Sequence, residues 1–203
     1  AVVLVTTVRA LKLHGGKAES ELTEPDPQAV QRGLENLDKH IENVLQFNKR
    51  PVVALNHFSA DTDEEIQVIK EKAAELGIKC AVADLWAKGG EGAMELAHKV
   101  IEVAETDPPV FDPMYDWSWD VKKKIETLAT RIYGAEHVDY APQARKDLKK
   151  IAELGLEQMP VCIAKTQKSL SDNPALLGIA DSIDEFNEQP VQQAIVFVDT
   201  FSA

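Results

Sequence analysis

Cysteine is nearly absent from this 203-residue chain, which has only Cys80 and Cys162. The two lie far apart, each inside an apolar strand-like run. That argues against a disulfide or a cysteine-based metal site and reads both as small core side chains. Basic residues are scarce as well: 22 Lys and Arg stand against 34 Asp and Glu, for a formal charge of -12 and a pI near 4.9. This balance lacks the electrostatic footprint of a nucleic-acid binder, and most of the acid is expected on solvated helix faces. No apolar run approaches the roughly 18 to 20 residues that span a bilayer. No basic n-region with a cleavage site opens the chain. Neither a nucleic-acid nor a membrane partner is expected, and the expected location is cytoplasmic. Repeats and low-complexity tracts are missing too. What is present is 44% hydrophobic residues, enough to bury a core in one large domain or two small ones.

The apolar residues fall into alternating patterns. AVVLVTT at residues 1–7 is a continuous apolar run, which predicts a strand buried on both faces of a parallel sheet. A chain that starts in such a strand is expected to be part of something longer. Val30, Leu34, Leu37, Ile41 and Val44 recur at helical spacing within residues 27–47, and PVVALN at 51–56 reads as a second buried strand. A helix over 63–76 closes on Gly77, KCAVADLW at 79–86 reads as a third strand, and 92–105 as a third helix. This alternation predicts an α/β fold with a mostly parallel, doubly wound sheet. Three prolines within 106–113 break the rhythm. Helices over 120–133 and 142–154 then form a small appended layer, MPVCIAKT at 159–166 returns to a buried strand, and the chain ends in a short helix over 181–188 and a strand over 194–198. Three stretches result: a sheet portion with its loops over 1–107, a linker and helical layer over 108–158, and a returning strand, polar loop and tail over 159–203.

In open parallel sheets ligands bind beyond the carboxyl ends of the strands, which gives the loops a shared address. Thr7, Arg9, Lys12 and His14 follow the first strand, and Asn56, His57, Phe58 and Asp61 follow the second. Trp86, Lys88, Gly89 and Gly90 follow the third, and Lys165 and Thr166 the fourth. Phe58 and Trp86 are candidates for gripping a flat ring from either side. Each also has a plain structural reading, Phe58 as a staple on the next helix and Trp86 as a cap on the sheet, and the two readings weigh about equally. GGEG before a helix can bind an anion through free N–H groups but is more often a tight turn. His14 reads as hydrogen-bonded structure, since no second ligand stands at metal spacing. Lys88 and Lys165 could meet a phosphate, although a single lysine is more often solvated surface.

Several blocks, taken in order, carry a family resemblance: TVRALKLHGG at 7–16, LNHFSADTDEEI at 55–66, LWAKGGEGAMELA at 85–97, RIYGAEHV at 131–138 and PVCIAKTQKSLSDNP at 160–174. Together they resemble formate tetrahydrofolate ligase, also called formyltetrahydrofolate synthetase, from residue 1 to about 178. The resemblance implies a ligase that joins formate to N10 of tetrahydrofolate with ATP and Mg, through formyl phosphate, on a core similar to P-loop NTPases. The resemblance leaves room for a monovalent cation and for a homo-oligomer, and the sequence itself is silent on oligomeric state. Carried over residue by residue, Phe58 and Trp86 sandwich the pterin ring and Val82 lines the same slot. Their ring planes are expected to lie roughly 7 Å apart around a bound pterin, or closer in an empty slot. Asn56, Lys88, Gly89, Gly90, Lys165 and Thr166 fall on the nucleotide or phosphate side, with Thr7, Arg9 and His14 on the substrate rim.

Two departures limit the resemblance. No GxxxxGK[ST] phosphate loop occurs in the 203 residues, and residues 179–203 do not continue the family pattern. The chain is therefore expected to be the C-terminal portion of such a ligase, inactive without an N-terminal portion that carries the phosphate loop. The alternative is a stand-alone folate- or nucleotide-binding module without ligase activity.

Overall fold

A computed structural model describes residues 1–107, 110–163 and 170. The chain divides between Asp112 and Pro113 into two units. The first unit is built on three parallel strands in the order β1-β2-β3: β1 (Val2–Thr6), β2 (Pro51–Asn56) and β3 (Lys79–Ala83). Leu4 pairs with Val53 and Val53 with Cys80, so one register runs across the sheet. Between the strands lie α1 (Val8–His14), α2 (Pro27–Leu45) and α3 (Asp63–Glu75), and after β3 come α4 (Leu85–Lys88), a 3-10 turn at Gly89–Ala93 and α5 (Met94–Thr106).

Alternation along the strands decides what packs where. Leu4, Val53, Leu55, Cys80 and Val82 join a core with Val8 and Leu11 of α1, Val30, Leu34, Leu37 and Ile41 of α2, and Ile66 and Ile69 of α3. The intervening Val52, Ala54, Ala81 and Ala83 are also buried, and α5 contacts both β2 and β3. The central β2 is buried from Pro51 to Leu55, as its continuous apolar run predicts. β1 is not: it lies at the edge of the described sheet, with Val3 42% and Val5 63% exposed. The expectation of a strand covered on both faces therefore fails for β1, because among the described residues no helix covers its second face.

Helix α1 is absent from the sequence-based reading, which took residues 7–16 as a loop. Thr7 caps it: its backbone is extended, and the Ala10 N–H donates to its hydroxyl at 3.0 Å. α1 lies hard against α2, and Gly33 makes that possible, since a Cβ at this position would sit 1.9 Å from the Leu11 carbonyl oxygen. Lys12, expected on the polar rim, is fully buried instead. Its ammonium donates to the carbonyls of Leu22 at 3.1 Å and Glu24 at 2.8 Å and pairs with Glu65 at 2.5 Å. Glu65, at the third position of α3, also accepts from the Asp26 N–H, the Thr62 N–H and the Thr62 hydroxyl. It closes a capping box with Thr62. This acid belongs to the core and not to a solvated helix face.

In the second unit, α6 (Val121–Tyr133) starts from an Asp120 cap and ends on the left-handed Gly134, and α7 (Pro142–Glu153) follows. Val121, Ile125 and Val161 form a small core with Leu128, Leu148 and Ile151 packed against it. Lys124 is buried with three carbonyls around its ammonium, Trp117 at 2.9 Å, Gln158 at 2.7 Å and Met159 at 3.3 Å. The strand expected over 159–166 does not form in its described part, residues 159–163. The backbone there bonds to side chains instead, with the Val161 N–H donating to the Tyr115 oxygen at 3.1 Å. Cys162 is consequently exposed, which corrects its reading as a core thiol, whereas Cys80 is half-buried and packs against the core of the first unit. The helix over 181–188 and the strand over 194–198 lie outside the described residues. Among the described residues no helix is long and apolar enough to cross a membrane.

Removing one partner of the Lys12–Glu65 pair strands a buried charge, so Lys12→Met is expected to lower unfolding stability by about 3–5 kcal/mol, read by urea denaturation. Burial raises the Glu65 carboxyl, but the hydrogen bonds from Asp26, Lys12 and Thr62 outweigh it and hold the group below the ordinary glutamate value near 4.5. A depressed folded-state pKa gives stability that is present above that value and lost as the pH falls through the folded one. Acid unfolding should therefore steepen below about pH 4.5 in the parent and less so in Glu65→Gln.

Candidate functional site

The carboxyl ends of β1, β2 and β3 are Thr6, Asn56 and Ala83, and the chain leaves each by a tightly bonded turn. After β2, the His57 N–H donates to the Ala83 carbonyl at 3.0 Å. The Phe58 N–H then donates to the Asp61 carboxylate at 2.8 Å, and the Asp61 N–H returns to the Phe58 carbonyl at 2.9 Å. This four-residue turn, closed at both ends by Asp61, fixes the backbone of Phe58 just before Thr62 caps α3. After β3, the Asp84 N–H donates to the Gly92 carbonyl at 3.1 Å and closes the loop. Glycine is required at 92 because a Cβ there would stand 2.1 Å from the Asp84 carbonyl oxygen.

Trp86 therefore stands on the one-turn helix α4, not at the end of a strand. The expectation that β3 runs on to Trp86 is corrected: the strand stops at Ala83, where Asp84 turns out of the extended conformation. Trp86 is 91% exposed. Its ring is not stacked on Phe58; the stacked or edge-on ring pairs among the described residues are Phe47–Phe111 and Tyr115–Trp117. The short helix and the hydrogen bond that closes its loop hold Trp86 at the loop surface. What does meet Phe58 is Arg9, whose guanidinium carbon lies 4.7 Å from the ring centroid. The Arg9 Nε is buried and has no hydrogen-bond partner.

Asp84 links the two loops. Its carboxylate lies 3.3 Å from the Lys88 ammonium and 3.7 Å from the His57 Nδ1. Burial raises the Asp84 carboxyl, but the Lys88 hydrogen bond and charge, the Ala87 N–H and the neighbouring His57 together lower it below the usual aspartate range. The sequence reading places His57 on the strand-end rim without giving it a role, and it passes over Asp84, which stands two residues before Trp86.

The remaining expected residues are distributed as follows. Asn56 ends β2 at the rim, half-buried. Val82 packs against the core cluster beneath it. Lys88 is engaged by Asp84, Gly89 turns the chain at a φ of +54°, and Gly90 has open space where a Cβ would lie. Thr7 is spent on capping α1. His14 lies at the other end of α1, about 10 Å along its axis by the rise of a helix. Its Nδ1 is buried without a hydrogen bond, against the expectation of a bonded histidine, and burial followed by the nearby His40 lowers its pKa. Lys165 and Thr166 lie outside the described residues. Among the described residues no group of three or more His, Cys, Asp or Glu could hold a metal ion. The strand ends thus bring Arg9, Asn56, His57, Phe58, Asp84, Trp86 and Lys88 to one edge. They offer aromatic faces, a cation on one of them and a fixed carboxylate, which suits a flat, polar-edged ring better than hydrolytic chemistry.

A family model described as formate–tetrahydrofolate ligase matches residues 1–187 of the chain.

The closure of the 84–92 loop generates a local prediction. Gly92→Ala forces a methyl group into the Asp84 carbonyl, so the loop must open at a stability loss of about 1–3 kcal/mol. Amide hydrogen exchange at Asp84 should speed up markedly, while exchange in the central strand β2 follows only the global change.

Proposed function

The chain belongs to the formate–tetrahydrofolate ligase family, and from that premise we propose that its strand-end edge holds the folate, with Phe58 and Trp86 as the walls of a pterin slot. The observation that carries this reading is that Phe58 and Trp86 follow adjacent strands of one parallel sheet. Such strands run about 4.8 Å apart. Rings carried two and three residues beyond the strand ends can therefore open to the roughly 7 Å that a third ring between them requires. Val82 forms the floor of the slot, and Asn56, Lys88, Gly89 and Gly90 lie beside it toward the phosphate-bearing reactants.

In the family reaction as we read it, a formate oxygen attacks the γ-phosphorus of ATP and ADP leaves, giving formyl phosphate. The N10 amine of tetrahydrofolate then attacks the formyl carbon, the carbon–oxygen bond to the phosphate breaks, phosphate leaves, and N10 loses a proton. The residues on this edge orient the folate for that attack. Stabilising the transferred phosphate takes backbone amides and a lysine in a cradle, and the 203 residues carry no GxxxxGK[ST] loop. We infer that the chain by itself forms no 10-formyltetrahydrofolate from ATP and formate, and that its sheet belongs to a doubly wound, P-loop-like core. Turnover by the isolated chain would contradict this inference.

Stacking of a base-like ring on an aromatic contributes about 1–3 kcal/mol by alanine substitution. Trp86→Ala should accordingly weaken tetrahydrofolate binding by roughly ten- to a hundredfold, measured by calorimetry. It should change stability little, since Trp86 is exposed. Trp119, whose ring lies 3.7 Å from the Lys123 ammonium in the second unit, is the control: Trp119→Ala should leave binding unchanged. Equal losses from both variants would place the ring elsewhere.

A further inference from the structure

We propose that Arg9 is a positioning residue of the pterin slot: its guanidinium backs one face of the Phe58 ring and leaves the opposite face for the ligand. This rests on the reading of Phe58 and Trp86 as the walls of the slot. The sheet order sets the sides. Arg9 follows β1, Phe58 follows the central β2 and Trp86 follows β3, so the cation and the tryptophan flank Phe58 from opposite directions. The complete arrangement is a four-layer stack of guanidinium, phenyl, pterin and indole.

Three observations support the role. The Arg9 guanidinium lies 4.7 Å from the ring centroid, within the roughly 6 Å over which a cation is attracted to an aromatic face. Arg9 has no ion pair among the described residues, and its Nε is buried with no hydrogen-bond partner, so no carboxylate explains its placement. The backbone of Phe58 is already fixed by its two hydrogen bonds to Asp61, and that of the preceding His57 by Ala83, which leaves ring orientation as its main freedom, and the guanidinium removes it. Arg9 is itself held, because Lys12 lies one turn further along the same face of α1 and is tied to Glu65 at the start of α3.

The test combines NMR of the Arg9 Nε–Hε group with calorimetry of tetrahydrofolate binding on the full chain. In the free protein the Hε signal should be shifted upfield by the Phe58 ring, and Phe58→Leu should abolish that shift. On saturation with tetrahydrofolate the signal should stay upfield, because the pterin takes the other face. Arg9→Met should weaken binding about tenfold, and Arg9→Lys, which keeps the charge but not the plane, should recover part of the loss. A signal that moves to its unshifted position on binding would overturn the proposal by making Arg9 a plug that the ligand expels, as would unchanged or tighter binding by Arg9→Met. The slot reading fails separately, if Phe58→Leu and Trp86→Ala both leave binding intact. A parent chain that takes up no tetrahydrofolate would overturn both.

Discussion

Lys12 and Glu65 meet with no exposure to solvent where α1, the 22–26 segment and the start of α3 come together. All three protons of the ammonium are used, on Glu65 and on the Leu22 and Glu24 carbonyls. Both carboxylate oxygens accept, from Lys12 and Asp26 on one side and from Thr62 on the other. A buried pair of this kind adds little net stability over an apolar core of the same shape, but a network in which every member is satisfied admits few alternative arrangements. It sets the positions of the elements that leave the strand ends: α1 carries Arg9 one turn before Lys12, and α3 begins shortly after Phe58.

The edge of the sheet is asymmetric as a result. The Phe58 wall is rigid: its turn is closed by three hydrogen bonds, α3 is capped immediately behind it, and Arg9 covers one ring face. The Trp86 wall is carried on one helical turn, held through Asp84 by Lys88 and by the Gly92 carbonyl, with the indole itself in solvent. On the proposed reading, the pterin meets one prepared face at Phe58 and supplies the contact that covers Trp86. Asp84 couples the two walls, since its carboxylate faces both His57 beside Phe58 and Lys88 beyond Trp86.

Periodic apolar spacing made much of the fold legible. α2, α3, α6 and α7 lie within two residues of their expected ends, and β2 is buried as its run of five apolar residues requires. Three features were not legible, each for a physical reason. α1 has only seven residues, too short for periodicity to declare it, although the Thr7 cap was a usable signal. Lys12 and Glu65 read as surface charges because nothing in local sequence marks a partner that lies two helices and a strand further along the chain. β1 has the composition of a central strand but lies at the edge of the described sheet, since strand order is decided by packing and not by the strand's own residues. At the candidate site the family blocks name Phe58 and Trp86 in sequence, while the guanidinium on Phe58 and the Asp84 link arise only from tertiary packing.

The central claim is that a pterin ring enters between Phe58 and Trp86. A crystal structure of the chain soaked with tetrahydrofolate tests it most directly. The account predicts planar density between the two side chains, with their ring planes about 7 Å apart and the guanidinium of Arg9 still on the far face of Phe58. A folate ordered elsewhere on the chain, with Trp86 as exposed as before, would contradict it.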